Sequence, residues 1–176
     1  MTNSGIDVNI MSQLIGIKSV ATNPNNLRIQ LGSGREVGLE YRVEPRFAVA
    51  DDEATVLGRY VADDAVAVAR KGNSIFYGGV ALNAQFVREV ARQAGVHIYT
   101  ETDDNFFAGG DFLCIHATST GEKTIRLPHR TDAVEIYTGE ILGRNTDCLV
   151  FPMKAFETKV IRLGDAERIL KRLKFQ

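Results

Sequence analysis

Residues 71–100, KGNSIFYGGVALNAQFVREVARQAGVHIYT, hold the densest agreement of local signals in the chain. Ser74 to Tyr77 is short and rich in β-formers, and Gly78-Gly79 breaks it. Asn83 is placed to cap a helix whose apolar positions Phe86, Val87, Val90, Ala91 and Ala94 fall on one face. Gly95 supplies the left-handed residue that ends a helix, and Val96 to Thr100 resumes as β-rich chain. The stretch therefore predicts a strand, helix, strand unit. Gly78-Gly79 matches neither GxGxxG nor GxxxxGK[ST], so the pair is expected to serve close packing and not phosphate binding.

The same grammar recurs upstream. Residues 6–20 predict a short helix with Ile10, Met11, Leu14 and Ile15 on one side, ended by Gly16 and followed by the strand-like Ile17 to Val20. No strand precedes this helix, so a sheet-forming segment is expected to have been cut away or never encoded. Leu27 to Leu31 and Glu36 to Val43 alternate like the two arms of a hairpin. Phe47 to Val49, Thr55 to Val61 and Ala65 to Arg70 are further strand candidates, the last paired with Ser74 to Tyr77 across Lys71-Gly72-Asn73.

Beyond Thr100 the texture changes. The runs FFA, DFLCIHA, KTIRL, AVEIY, EIL, CLVF and TKVIRL are separated by GGD, STGE, PHRTD, TGE and GRNTD, the spacing of an antiparallel sandwich or small barrel. Asp165 to Lys174 predicts a capped terminal helix carrying Arg168, Lys171, Arg172 and Lys174. The expected fold class is α+β: a partial α/β layer over residues 1–100, then an antiparallel β-sandwich over 101–176 with its C-terminal helix. No linker rich in Pro or Ser divides the two.

Bulk composition excludes several classes of function. The 176 residues carry a net charge of −1, which gives no long-range pull on a polyanion, so nucleic acid is not the expected partner. No apolar run reaches the roughly 18 residues a bilayer span requires, and MTNSGIDVNIMSQLIG lacks the basic and apolar regions of a secretory signal. The expected location is cytoplasmic, or the chain begins partway into a larger protein. Cys114 and Cys148 sit in apolar runs as small hydrophobes, with a disulfide open to them only if their strands are neighbours. His97, His116 and His129 are too far apart in sequence to form a short-spaced ligand pair.

The densest carboxylate group is Glu101, Asp103, Asp104 and Asp111, just past the carboxyl end of a predicted strand. Such a group could serve glycoside hydrolysis or bind calcium, and acidic, Gly-rich turns are more often solvated loops. No GxSxG setting surrounds Ser74, Ser119 or Thr120. No catalytic, metal-ligating or cofactor-binding residue is assigned, and no cofactor is expected.

The run from Glu40 to Pro128 resembles the C-terminal region of large β-galactosidase-like glycoside hydrolases. ATVLGRY, ARKGNSIFYGG, the helix ending in AGVHIY, FFAGGDFLCIHA and GEKTIRLP carry the resemblance, and SQLIGIK is similar to the last helix and turn of the preceding part. In those proteins a catalytic (β/α)8 barrel is followed by an α/β domain similar to class I glutamine amidotransferases and then by a β-sandwich. A barrel needs about 250 residues, so the family's catalytic acid and nucleophile have no counterparts here. The resemblance implies a non-catalytic scaffold or oligomerisation region, with a second copy or a catalytic glycosidase as partner. The alternative is a carbohydrate-binding module in the β half. With Trp absent, its platform would come from Phe106, Phe107 and Tyr137, the first two expected to fill the core. A third possibility is a small hydrolase using Asp103, Asp104 or Asp111.

Overall fold

The computed structural model describes residues 7–173, and the chain divides into two compact units, residues 1–83 and 84–176. Every strand pairing among the described residues is antiparallel. With three short helices among the described residues, the fold is α+β and mostly β.

The first unit opens with α1 (Val8–Ile15), capped by the Asp7 carboxylate and ended by Gly16 at φ 69°. Met11 and Ile15 pack on a core of Ile17, Val49, Ala69 and Phe76. Ile10 and Leu14, expected on that same side, face outward at 55% and 81% exposure. β1 (Ser19–Thr22) pairs with β4 (Arg46–Val49). The remaining strands, β2 (Ile29–Leu31), β3 (Glu36–Val37), β5 (Thr55–Tyr60), β6 (Val66–Lys71) and β7 (Ser74–Tyr77), form one sheet in the order β3-β2-β5-β6-β7. The expected strand through Val43 stops at Val37. Gly38, at φ 105°, brings the chain so close to the Leu27 carbonyl that a Cβ would meet its oxygen at 1.9 Å.

The predicted strand, helix, strand unit divides between the two units. Its first strand is the second arm of the β6–β7 hairpin, turned at Gly72 (φ 57°), whereas α2 (Ala84–Gln93) belongs to the second unit. Gly95 ends α2 as expected, at φ 72°, with the Val96 N–H returning to the Ala91 carbonyl at 2.9 Å. Val96 to Thr100 forms no strand. The Arg126 N–H bonds to the Tyr99 carbonyl (2.8 Å) and His97 Nε2 to the Arg126 carbonyl (2.8 Å), contacts made without a ladder. No parallel layer forms among the described residues.

In the second unit β8 (Asn105–Gly109), β9 (Phe112–His116), β10 (Gly121–Glu135), β11 (Ile141–Met153) and β12 (Thr158–Leu163) make one sheet in the order β11-β10-β12-β9-β8, followed by α3 (Ala166–Leu173). PHRTD and GRNTD, read as turns, lie inside the long strands β10 and β11. The ladder breaks between Arg126 and Thr131, so Pro128 interrupts no cross-strand bond there. One five-stranded sheet carries the core, where two facing sheets were expected. Leu113 and Ile115 from β9 and Ile161 from β12 pack with Ile125, Leu127, Leu149 and Phe151 from the β10–β11 ribbon.

The Gly78-Gly79 pair serves close packing. A Cβ on Gly78 would lie 2.2 Å from Tyr60 Oη, which donates to the Phe47 carbonyl (2.8 Å) or the Gly78 carbonyl (2.9 Å). Gly78→Ala is expected to lower stability by about 1–3 kcal/mol through overpacking. Gly109→Ala, with open space at its Cβ, should leave stability nearly unchanged. Urea denaturation of both variants provides the comparison.

Candidate functional site

The structure disperses the carboxylate group that the sequence brings together. Arg88 and Arg92, one turn apart on α2, hold Asp103 and Glu101 respectively, and Arg88 also donates to the Thr102 carbonyl at 2.8 Å. The hydrogen bond from Arg92 holds the Glu101 carboxyl below its ordinary value. These are surface pairs, each worth about 0–1 kcal/mol, and they fasten α2 to the segment before β8. Glu101 also lines a cleft of about 290 Å³ with Tyr99, Glu122 and Arg126.

Asp104 is different. Its side chain is 1% exposed and that of Lys123 is 3% exposed, with Nζ and Oδ1 at 2.9 Å. Oδ1 also accepts from the Thr118 N–H (2.8 Å) and the Thr118 hydroxyl (3.1 Å), and Oδ2 from the Thr102 hydroxyl (2.6 Å). Burial alone would raise the Asp104 carboxyl, but hydrogen bonds from Thr102, Lys123 and Thr118 outweigh it and bring it down to about 2. Both of its oxygens are held by the protein's own donors. It ties the turn before β8 to the β9–β10 connection.

Asp111 lies beyond the other end of β8. A five-residue strand spans roughly 17 Å, well above the roughly 5–9.5 Å between the carboxyl groups of a glycosidase pair. Asp103, Asp104 and Asp111 therefore do not converge. The histidines are likewise separate: His97 packs edge-on against Tyr99 at 4.6 Å, His116 Nδ1 bonds Thr158 Oγ1 at 2.8 Å, and His129 is exposed. Among the described residues no three His, Cys, Asp or Glu side chains are grouped to hold a metal. Cys114 and Cys148 are both free, and both are half-buried rather than part of the core.

The aromatic platform is also rearranged. Neighbouring residues in a strand point to opposite faces. Phe106 accordingly packs inward against Tyr99 at 5.3 Å, while Phe107 turns outward and is 69% exposed. Phe107 stands opposite Cys114 in the ladder and so shares a face with Phe112, which is 44% exposed. Arg162, opposite Phe112 on β12, lays its guanidinium over that ring at 5.4 Å. Sequence reading passed over Phe112 and Arg162, and placed Phe107 in the core. The period-two rule applied to FFAGGDF would have separated Phe106 from Phe107.

Because the folded value of Asp104 lies below the ordinary 3.8, its contribution is fully present above about pH 4. It is lost as the pH falls toward 2, a difference of about 2 kcal/mol. Asp104→Asn should flatten that part of a stability-against-pH curve measured by urea denaturation. Lys123→Met, which strands a buried carboxylate, should cost about 3–5 kcal/mol at neutral pH.

No protein-family profile matches the chain, and no curated protein matches it. Among solved structures the GH42 beta-galactosidase Gan42B is similar at a TM-score of 0.48 and 16% sequence identity, over 88% of this chain. The match covers 24% of the Gan42B chain, so this protein spans about a quarter of that enzyme's length.

Proposed function

We propose that this chain is a non-catalytic assembly module akin to the C-terminal region of β-galactosidase-like glycoside hydrolases, and that a second copy or a catalytic glycosidase covers the outer face of α1. The carrying observation is α1 itself. Met11 and Ile15 already anchor it to the first unit's core, yet Ile10 and Leu14 remain on its exposed side. A surface helix that is apolar on both sides has a second face to bury. The α1–Gly16 turn is also the segment, SQLIGIK, that resembles the last helix and turn of the amidotransferase-like part in those enzymes.

Ile10→Ser combined with Leu14→Ser is expected to convert an associating protein to a monomer without lowering its thermal midpoint, since neither side chain belongs to the core. Sedimentation velocity over a range of concentrations provides the measurement. A parent chain that stays monomeric throughout and does not bind a purified glycosidase would sink the proposal. So would turnover of nitrophenyl galactosides by the chain alone.

A second reading has its own support. Phe107 stands exposed on a face bordered by the polar side chains of Asn105, His116 and Thr158 at neighbouring ladder positions, with Phe112 beside it under the Arg162 guanidinium. An apolar platform with a polar rim suits the face of a sugar ring. On this reading galactan titrates against the parent chain with measurable heat, and Phe107→Ala abolishes that heat while leaving the fold intact. Equal heats from the parent and Phe107→Ala would remove this reading.

A further inference from the structure

The tight turn between β8 and β9, the end of β12 and the start of α3 enclose a cleft of about 300 Å³, lined by Asp111, Arg162, Gly164, Asp165, Arg168 and Arg172. The Leu163 N–H bonds the Asp111 carbonyl at 2.8 Å and fixes the turn beside the end of β12. Gly164, at φ 126°, then leads the chain into α3. Its volume lies at the lower end of the roughly 300–1,000 Å³ typical of small-ligand sites.

The charges in this cleft are unbalanced in a specific way. Arg88, Arg92, Arg130 and Arg144 of the same unit each hold a carboxylate. Arg162, Arg168 and Arg172 form no ion pair among the described residues, although carboxylates are close in sequence. Asp132 and Glu167 are engaged outside the cleft, whereas Asp165 lines it and keeps its charge while capping α3. Asp165 accepts the Arg168 N–H at 2.7 Å, Asp132 accepts the Ala166 N–H at 3.0 Å and the Asn145 N–H at 2.8 Å, and Glu167 holds Arg144 at 2.8 Å. Arg168 and Arg172, four residues apart, lie one above the other on α3, where like charges repel. Arg162 is steadied by the Phe112 ring beneath its guanidinium. Leading N–H groups of α3 are already taken by Asp132 and Asp165, so guanidinium groups and not the helix end would receive an anion.

We propose that this cleft binds a hydroxyl-bearing ester of a tetrahedral oxyanion, of which a sugar phosphate is the type. Three guanidinium forks offer paired donors to the oxygens of a phosphate or sulfate group. Asp111, whose carboxylate has no ion pair among the described residues, would repel a bare anion but accepts a hydrogen bond from a hydroxyl on the carrier. The combination selects an anion attached to a polyol over the anion alone.

Isothermal titration of the full chain with glucose 6-phosphate, glucose 6-sulfate, inorganic phosphate and glucose tests this. Binding of glucose 6-phosphate, weaker binding of inorganic phosphate and none of glucose are expected. Equal or tighter binding of the sulfate ester upholds the site and makes sulfated sugars its ligands. Arg168→Gln and Arg172→Gln, both at exposed positions, should each weaken the ester about tenfold or more with an unchanged thermal midpoint. Asp111→Ala, which removes the hydroxyl acceptor together with the repulsion, should narrow the preference for the ester over inorganic phosphate. No heat with any anion, or parental affinity in both arginine variants, overturns the proposal.

Discussion

One buried ion pair, Asp104 with Lys123, sets the strand connections of the second unit. Removing two charges from water is costly, and a buried pair persists only where further hydrogen bonds satisfy what the partner leaves open. Asp104 and Lys123 meet that condition because Thr102, Thr118 and Ser119 surround them. The demand fixes geometry. Thr102 precedes β8 and Thr118 follows β9, while Lys123 stands near the start of β10, so satisfying Asp104 brings the ends of three strands to one point. The aliphatic core supplies most of the burial around Leu113, Ile125 and Leu149, but apolar contact is non-directional. The ion pair adds a directional constraint on how the connections are set.

The first unit solves a similar problem with an aromatic ring. Arg46, its side chain wholly buried, spreads its charge over the face of Tyr60 at 4.3 Å, donates from Nε to Thr22 Oγ1 at 2.8 Å and pairs with Asp63. Its Nη1 is buried and has no hydrogen-bond partner among the described residues. Burial pushes the Tyr60 phenol up to about 12, and its hydroxyl donates to the neighbouring carbonyls. Asp63, Arg46, Tyr60 and Gly78 thus form one chain of dependence, in which the absent side chain of Gly78 makes room for the phenol that supports the guanidinium.

Much of the secondary structure is legible in the sequence, because it follows from local rules. Gly16 and Gly95 end helices where a left-handed residue was expected, and Lys71-Gly72-Asn73 turns a hairpin. What stays hidden depends on neighbours distant in sequence. Nothing in PHRTD or GRNTD says that a strand continues through a bulge when its partner bulges with it. Nothing in YRVEPRFAV marks Arg46 as buried, since its counter-charge lies 17 residues on. The carboxylate group was legible as composition but not as geometry. Arg88, Arg92 and Lys123, which decide what each carboxylate does, stand in other elements, and the arginines around Asp111 come from the far end of the chain.

The strand order β11-β10-β12-β9-β8 carries a consequence for synthesis on the ribosome. β8–β9 and β10–β11 are local hairpins, and each has the means to pair as soon as it emerges. β12 is the last strand of the unit to be made, yet it sits between them, joined to β9 on one side and β10 on the other. Until residues 158–163 leave the exit tunnel, the two hairpins have no ladder in common. The unit therefore closes from its middle, after nearly all of it has been translated, and a ribosome paused before that point holds two open edges where the finished protein has a single continuous sheet.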